Sequence, residues 1–133
     1  MRVYLDNAAT TPIRPEVLEC YIDTLKLIGN PSSVHSSGQQ VRQVLEEARE
    51  SLAKSLDCDR SEVLFTSGGT ESDNLAIKGI YWQRRDEDPK RNVVITAGTE
   101  HHGVIDPIEW LEAHEGAEVK LVPVNFDGEL DLD

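Results

Sequence analysis

The chain has 133 residues, 38% of them hydrophobic and 29% charged, and a formal net charge of −12, the composition of one modest soluble globular domain with a real core. So negative a chain repels nucleic acid and anionic membranes, and no apolar run approaches the length of a membrane span. Any bound phosphate must therefore be held by local donors and not by the overall field.

The opening Met1–Asp6 reads as a short strand pattern and not as a signal peptide. Pro15 sits where a first helical turn tolerates it, and Leu18, Tyr21, Ile22 and Leu25 then share one helical face. Gly29-Asn30-Pro31-Ser32-Ser33 breaks the chain. A second helix is expected from about Gly38 to Leu56, with Val41, Val44, Leu45, Ala48, Leu52 and Leu56 on its apolar face. A strand over Val63–Thr66 precedes a third helix that begins near Thr70 and carries Leu75, Ala76, Gly79 and Ile80. Arg84–Arg91 reads as a charged, exposed connector. Val93–Thr96 is a continuous apolar run, the pattern of a strand buried on both faces. The helix after Glu100-His101-His102 carries Ile105, Ile108 and Leu111, and Pro107 is expected in its first turn. Val119–Val124 reads as another strand, Asn125–Gly128 as a turn, and Glu129–Asp133 as the start of a further helix. This alternation is an α/β order. It implies a largely parallel sheet flanked by helices, with ligands expected in the turns that follow the strands. Cys20 and Cys58 have no metal-ligand spacing, and a cytoplasmic chain with reduced thiols is expected.

The turn Ser67-Gly68-Gly69-Thr70 carries the most chemistry. Two glycines leave backbone N–H groups approachable, and the next helix points its positive end into the same space. Ser67 and Thr70 add hydroxyl donors. No Gly-Lys-Ser/Thr follows, so this is not a nucleotide-triphosphate loop. The motif alone fits a phosphate cradle and fits a plain capped turn. Glu100, His101, His102 and His114 are poorly spaced for zinc, and no metal is expected.

Four ordered motifs resemble those of the cysteine desulfurases: Tyr4-Leu5-Asp6-Asn7-Ala8-Ala9-Thr10-Thr11-Pro12, then Gly29–His35 followed by Gly38, then Phe65–Ala76, then Thr99-Glu100-His101. The resemblance spans most of the chain. It implies part of the large domain of a fold-type I pyridoxal-phosphate enzyme of the class V aminotransferase group. Residues 1–30 would be an N-terminal segment with the first helix, and residues 31–133 the first part of the cofactor-binding domain. The implied activity is removal of sulfur from L-cysteine, giving L-alanine and an enzyme persulfide that passes to a sulfur-acceptor or scaffold protein, as in iron–sulfur cluster assembly. The implied cofactor is pyridoxal phosphate and the implied assembly a homodimer.

By the same resemblance Gly68, Gly69 and Thr70 hold the cofactor phosphate. His101 stacks on the pyridine ring and serves in proton transfer, and Asn7, Ala8 and Ala9 line the substrate side. Asn30 and His35 fall in a segment near the site. None of Lys26, Lys54, Lys78, Lys90 and Lys120 stands in the family's Schiff-base lysine motif, and neither cysteine has the context of the sulfur acceptor. The expectation is a truncated domain, inactive alone and not covalently loaded. Two alternatives stay open: selenocysteine lyase or another class V relative, and a short non-catalytic phosphate-binding or interaction protein.

Overall fold

The computed structural model describes residues 3–131. They form two compact units, the first ending at Leu64 and the second beginning at Phe65.

The first unit is built on two helices. Helix α1 (Pro15–Leu25) starts on its proline, whose fixed φ suits the first helical position. It buries no residue, so its apolar face is solvent-exposed. Helix α2 (Ser36–Leu56) starts two residues ahead of the expected position because His35 caps it, Nδ1 accepting from the Gly38 N–H at 3.4 Å. It ends on Asp57 in the left-handed region (φ 53°), which aspartate tolerates better than most residues. Gly38 is buried under the Gly29–His35 break, and a Cβ there would lie 2.6 Å from the carbonyl oxygens of Asn30 and Ser33. Asn30 also folds the break locally, its Oδ1 accepting from the Ser32 N–H at 2.9 Å. A single 3-10 turn, Arg60–Glu62, is held by a capping box on Asp59.

The second unit holds helix α3 (Gly69–Glu87), strand β1 (Val93–Ala97), helix α4 (His102–Glu115) and strand β2 (Glu118–Val122). The strands pair in parallel, Val93 opposite Glu118 through Ala97 opposite Val122, with α4 as the crossover. The architecture is thus the expected α/β arrangement. Its core is Tyr81 of α3, Leu111 of α4 and Ala117, with Ile77 and Val94 packed against them. Leu111 is fully buried. Burying such a side chain contributes about 1.5–3 kcal/mol. Arg85 joins the two helices at their ends, donating to the Tyr81 hydroxyl at 3.1 Å and to the Glu115 carbonyl, one of the carbonyls that a helix C-terminus leaves without an intrahelical partner. Gly116 closes α4 at φ 71°, a left-handed position suited to glycine.

Several local expectations are corrected. Residues 3–6 form no strand; Met1 and Arg2 lie outside the described residues. Val63–Thr66 pairs with no strand among the described residues. The Val63 carbonyl instead accepts from the Arg49 guanidinium at 2.9 Å, a side-chain donor where a ladder N–H would stand. Helix α3 runs on through Arg84 and Arg85 to Glu87, so only the end of the charged segment is a connector; Arg84 and Arg85 suit a last helical turn electrostatically. β1 is covered mainly on one face: Val94 packs against the core, while Val93 and Ile95 on the opposite face are 44% and 68% exposed. Pro107 lies inside α4, beyond the first turn, and is fully buried, so its packing offsets the hydrogen bond that its missing N–H forgoes. After the turn at Asn125–Gly128, Leu130 forms an antiparallel bridge with Val124 and Asp131 donates to the Pro123 carbonyl at 2.9 Å. That stretch is a hairpin arm and not a helix start, and Leu132 and Asp133 lie outside the described residues.

Candidate functional site

Helix α3 opens without a side-chain cap on its N-terminal residue, Gly68, so helix geometry leaves its first N–H groups unpartnered. The backbone of Gly68 is extended, and no atom lies within 4 Å of where a Cβ would sit on Gly68 or Gly69. Gly68, Gly69 and Thr70 are all exposed. The turn therefore faces open space, as an anion cradle requires. Thr66 shapes it from behind, with its Oγ1 donating to the Gly68 carbonyl at 3.2 Å and standing 2.6 Å from the Ser72 hydroxyl.

Ser67 does not offer its hydroxyl outward. Its N–H and its Oγ both donate to one oxygen of Glu71, each at 2.6 Å. The hydroxyl first and the N–H second hold the Glu71 carboxyl below the ordinary glutamate value. The donors left to an anion are the backbone N–H groups at the start of α3 and the Thr70 hydroxyl.

His101 is the N-terminal cap of α4. Its Nδ1 accepts from the Gly103 N–H at 2.9 Å, and its carbonyl accepts from Val104 and Ile105. An accepting Nδ1 puts the proton of a neutral ring on Nε2. Asp73, one turn into α3, reaches the same place: a Cβ on Gly103 would lie 2.9 Å from Asp73 Oδ2 and 3.1 Å from His101 Nδ1. This approach brings the N-terminal ends of α3 and α4, and with them Gly68, Gly69, Thr70 and His101, to one end of the second unit. His102 is exposed beside Asp106, its Nδ1 3.7 Å from the carboxylate.

Asn7, Ala8 and Ala9 belong to the first unit, in an exposed turn where the Ala9 N–H donates to the Asp6 carbonyl at 3.2 Å. Glu71, Asp73 and Gly103 are not singled out by the motif reading. The Ser67-to-Glu71 spacing and a glycine two residues after a capping histidine were the available signals. A groove of about 790 Å³ between α3, β1 and α4 has an apolar floor that includes Ile77, Val94 and Ile108, and it touches neither the glycine turn nor His101. Among the described residues no three His, Cys, Asp or Glu side chains are placed to share a metal ion, and no helix is long and apolar enough to cross a membrane.

The aminotransferase class-V family pattern matches residues 3–133. An IscS-like cysteine desulfurase of Mycobacterium tuberculosis is 53% identical over 125 residues, covering 94% of this chain and 32% of that protein. A cysteine desulfurase IscS of Dictyoglomus turgidum is 46% identical over 132 residues, covering 98% and 32%. Among solved structures, a NifS-like protein superposes with a TM-score of 0.81 at 38% identity, covering 99% of this chain and 35% of that one. A structure described as SspA in complex with cysteine does so at 0.75 and 35% identity, covering 88% and 33%. The chain spans about a third of the length of the curated relatives it matches.

Proposed function

The chain belongs to the aminotransferase class-V family, and we propose that it is the N-terminal part of a cysteine desulfurase, working in the cytoplasm as a homodimer. The whole enzyme would take sulfur from L-cysteine, leaving L-alanine and a persulfide on an enzyme cysteine for a sulfur-acceptor or scaffold protein, iron–sulfur assembly among the uses. Residues 31–133 would be the first part of its cofactor-binding domain. The observation that carries this reading is the joint placement of an open glycine turn at the start of α3 and a capping histidine at the start of α4. The named relatives support it, being cysteine desulfurases over nearly the whole of this chain.

Pyridoxal phosphate fits the residues present, because the turn offers unpartnered N–H groups and open space to a dianion. Bound there, it supplies the electron sink that the chemistry at the cysteine Cα needs. Gly68, Gly69 and Thr70 would hold its phosphate by backbone N–H groups and the Thr70 hydroxyl. His101 would lie over its ring. With Nδ1 committed to Gly103, His101 can hold or pass a proton only at Nε2, which fixes where a general acid–base step takes place. Asn7, Ala8 and Ala9 would line the substrate side. The Schiff-base lysine and the sulfur-accepting cysteine would come from outside these 133 residues.

The test is the full-length protein given L-cysteine, with alanine and sulfide measured separately. Equal amounts of both are expected in the presence of a thiol reductant. Release of selenide from selenocysteine with no turnover of cysteine would move the assignment to a lyase. Thr70→Val should weaken pyridoxal-phosphate retention by about 1.5–3 kcal/mol, the contribution of a charge-assisted hydrogen bond. An unchanged affinity would remove Thr70 from the cradle.

A further inference from the structure

We propose that Gly103 is a positioning residue that fixes the ring orientation and tautomer of His101. The inference rests on the proposed role of His101 in that enzyme. Gly103 supplies the N–H that engages Nδ1, so the ring is held by its own helix and presents Nε2–H away from it. Gly103 is buried, and its missing side chain is part of the arrangement. A Cβ there would be caught between Asp73 Oδ2 at 2.9 Å and His101 Nδ1 at 3.1 Å. Asp73 comes from α3, the helix whose first residues form the glycine turn. Its half-buried carboxylate lies against the first turn of α4, where a helix N-terminus attracts negative charge.

The experiment reads the ring directly. In ¹⁵N-labelled protein in alkaline buffer, where imidazoles are neutral, two-bond ¹H–¹⁵N spectra distinguish the tautomers. The expected result is a single His101 pattern with the proton on Nε2. Gly103→Ala should lose that single pattern and give mixed tautomers. The atoms it displaces are the ends of two side chains, so the helices should persist, and unchanged far-ultraviolet circular dichroism checks this. A wild-type ring already mixed, or a Gly103→Ala ring that keeps one tautomer, would overturn the proposal. In the full-length protein Gly103→Ala should lower kcat at least tenfold with little change in KM. If the tautomer behaves as expected but L-cysteine is never turned over, the functional reading fails and the positioning inference stands.

Discussion

The first unit carries the clearer amphipathic helical patterns, yet the second buries more of its own. In the first, Leu18, Tyr21, Ile22 and Leu25 line one face of α1, yet they are 44%, 59%, 46% and 65% exposed. In the second, Tyr81 and Leu111 come from helices no more regular in pattern, and they are 6% and 0% exposed. Hydrophobic periodicity says which face of a helix is ready to be covered. Whether it is covered depends on a partner: α4, β1 and β2 supply one for α3, and none of the described residues of the first unit supplies one for α1.

The largest expected effect tests that contrast directly. Leu111→Ala should cost about 2–5 kcal/mol, the range for emptying a packed core position. Leu18→Ala should change stability by no more than about 0.5 kcal/mol, as exposed positions do. Urea denaturation followed by tryptophan fluorescence reports the first, because Trp82 and Trp110 meet edge to face at 6.5 Å across the α3–α4 contact. Circular dichroism reports the second. A comparable loss from Leu18→Ala would mean that the α1 face is covered in solution, and the contrast would collapse.

A glycine in each unit sharpens the comparison. Gly38→Ala should destabilise the first unit by about 1–3 kcal/mol, the range for overpacking, because the new methyl meets backbone oxygens of Asn30 and Ser33 that cannot move without reshaping the loop. Gly79→Ala in α3 should stabilise by about 0.5–1 kcal/mol, since nothing lies within 4 Å of the new Cβ and alanine is the better helix former. Thermal melts of the two variants should therefore shift in opposite directions. A downward shift for both would place an unseen neighbour against Gly79.

The elements that were legible in the sequence are those set by local rules. Pro15 marks the start of α1, the Gly29–Ser33 break separates α1 from α2, and the glycine turn marks the start of α3. The parallel β1–α4–β2 unit follows from the alternating order of elements. What was not legible depends on contacts between segments. The Val63–Thr66 run has strand composition, but a strand needs a neighbour's N–H and C=O groups, and the Val63 carbonyl finds a guanidinium instead. The Ser67–Glu71 clasp is the local exception: Ser67 reads as a donor for an anion, although its four-residue spacing from Glu71 already allowed the carboxylate to accept from both its N–H and its hydroxyl. Asp73 and Gly103 are far apart in sequence, and only the packing of α3 on α4 brings them together.

The smallest expected effect concerns a feature the units share. Each has a carboxylate clasping a serine: Asp59 accepts from the Ser61 N–H at 2.8 Å and its Oγ at 2.6 Å, and Glu71 does the same with Ser67. In both, the serine hydroxyl first and the N–H second hold the carboxyl below its ordinary value. The folded form therefore binds fewer protons than the unfolded form through this range, and local stability rises with pH. The contribution is complete above the unfolded carboxylate pKa of about 4 and is lost as pH falls through the lower folded value. Amide protection at Ser61 and Ser67 should drop together in acid, while protection at Leu111 in the core should persist to lower pH. Asp59→Asn and Glu71→Gln should each abolish the pH dependence at their own serine and leave the other untouched. If Ser67 lacked protection at every pH, the Glu71 clasp would not form in solution, and the Ser67 hydroxyl would return to the donors available to an anion at the start of α3.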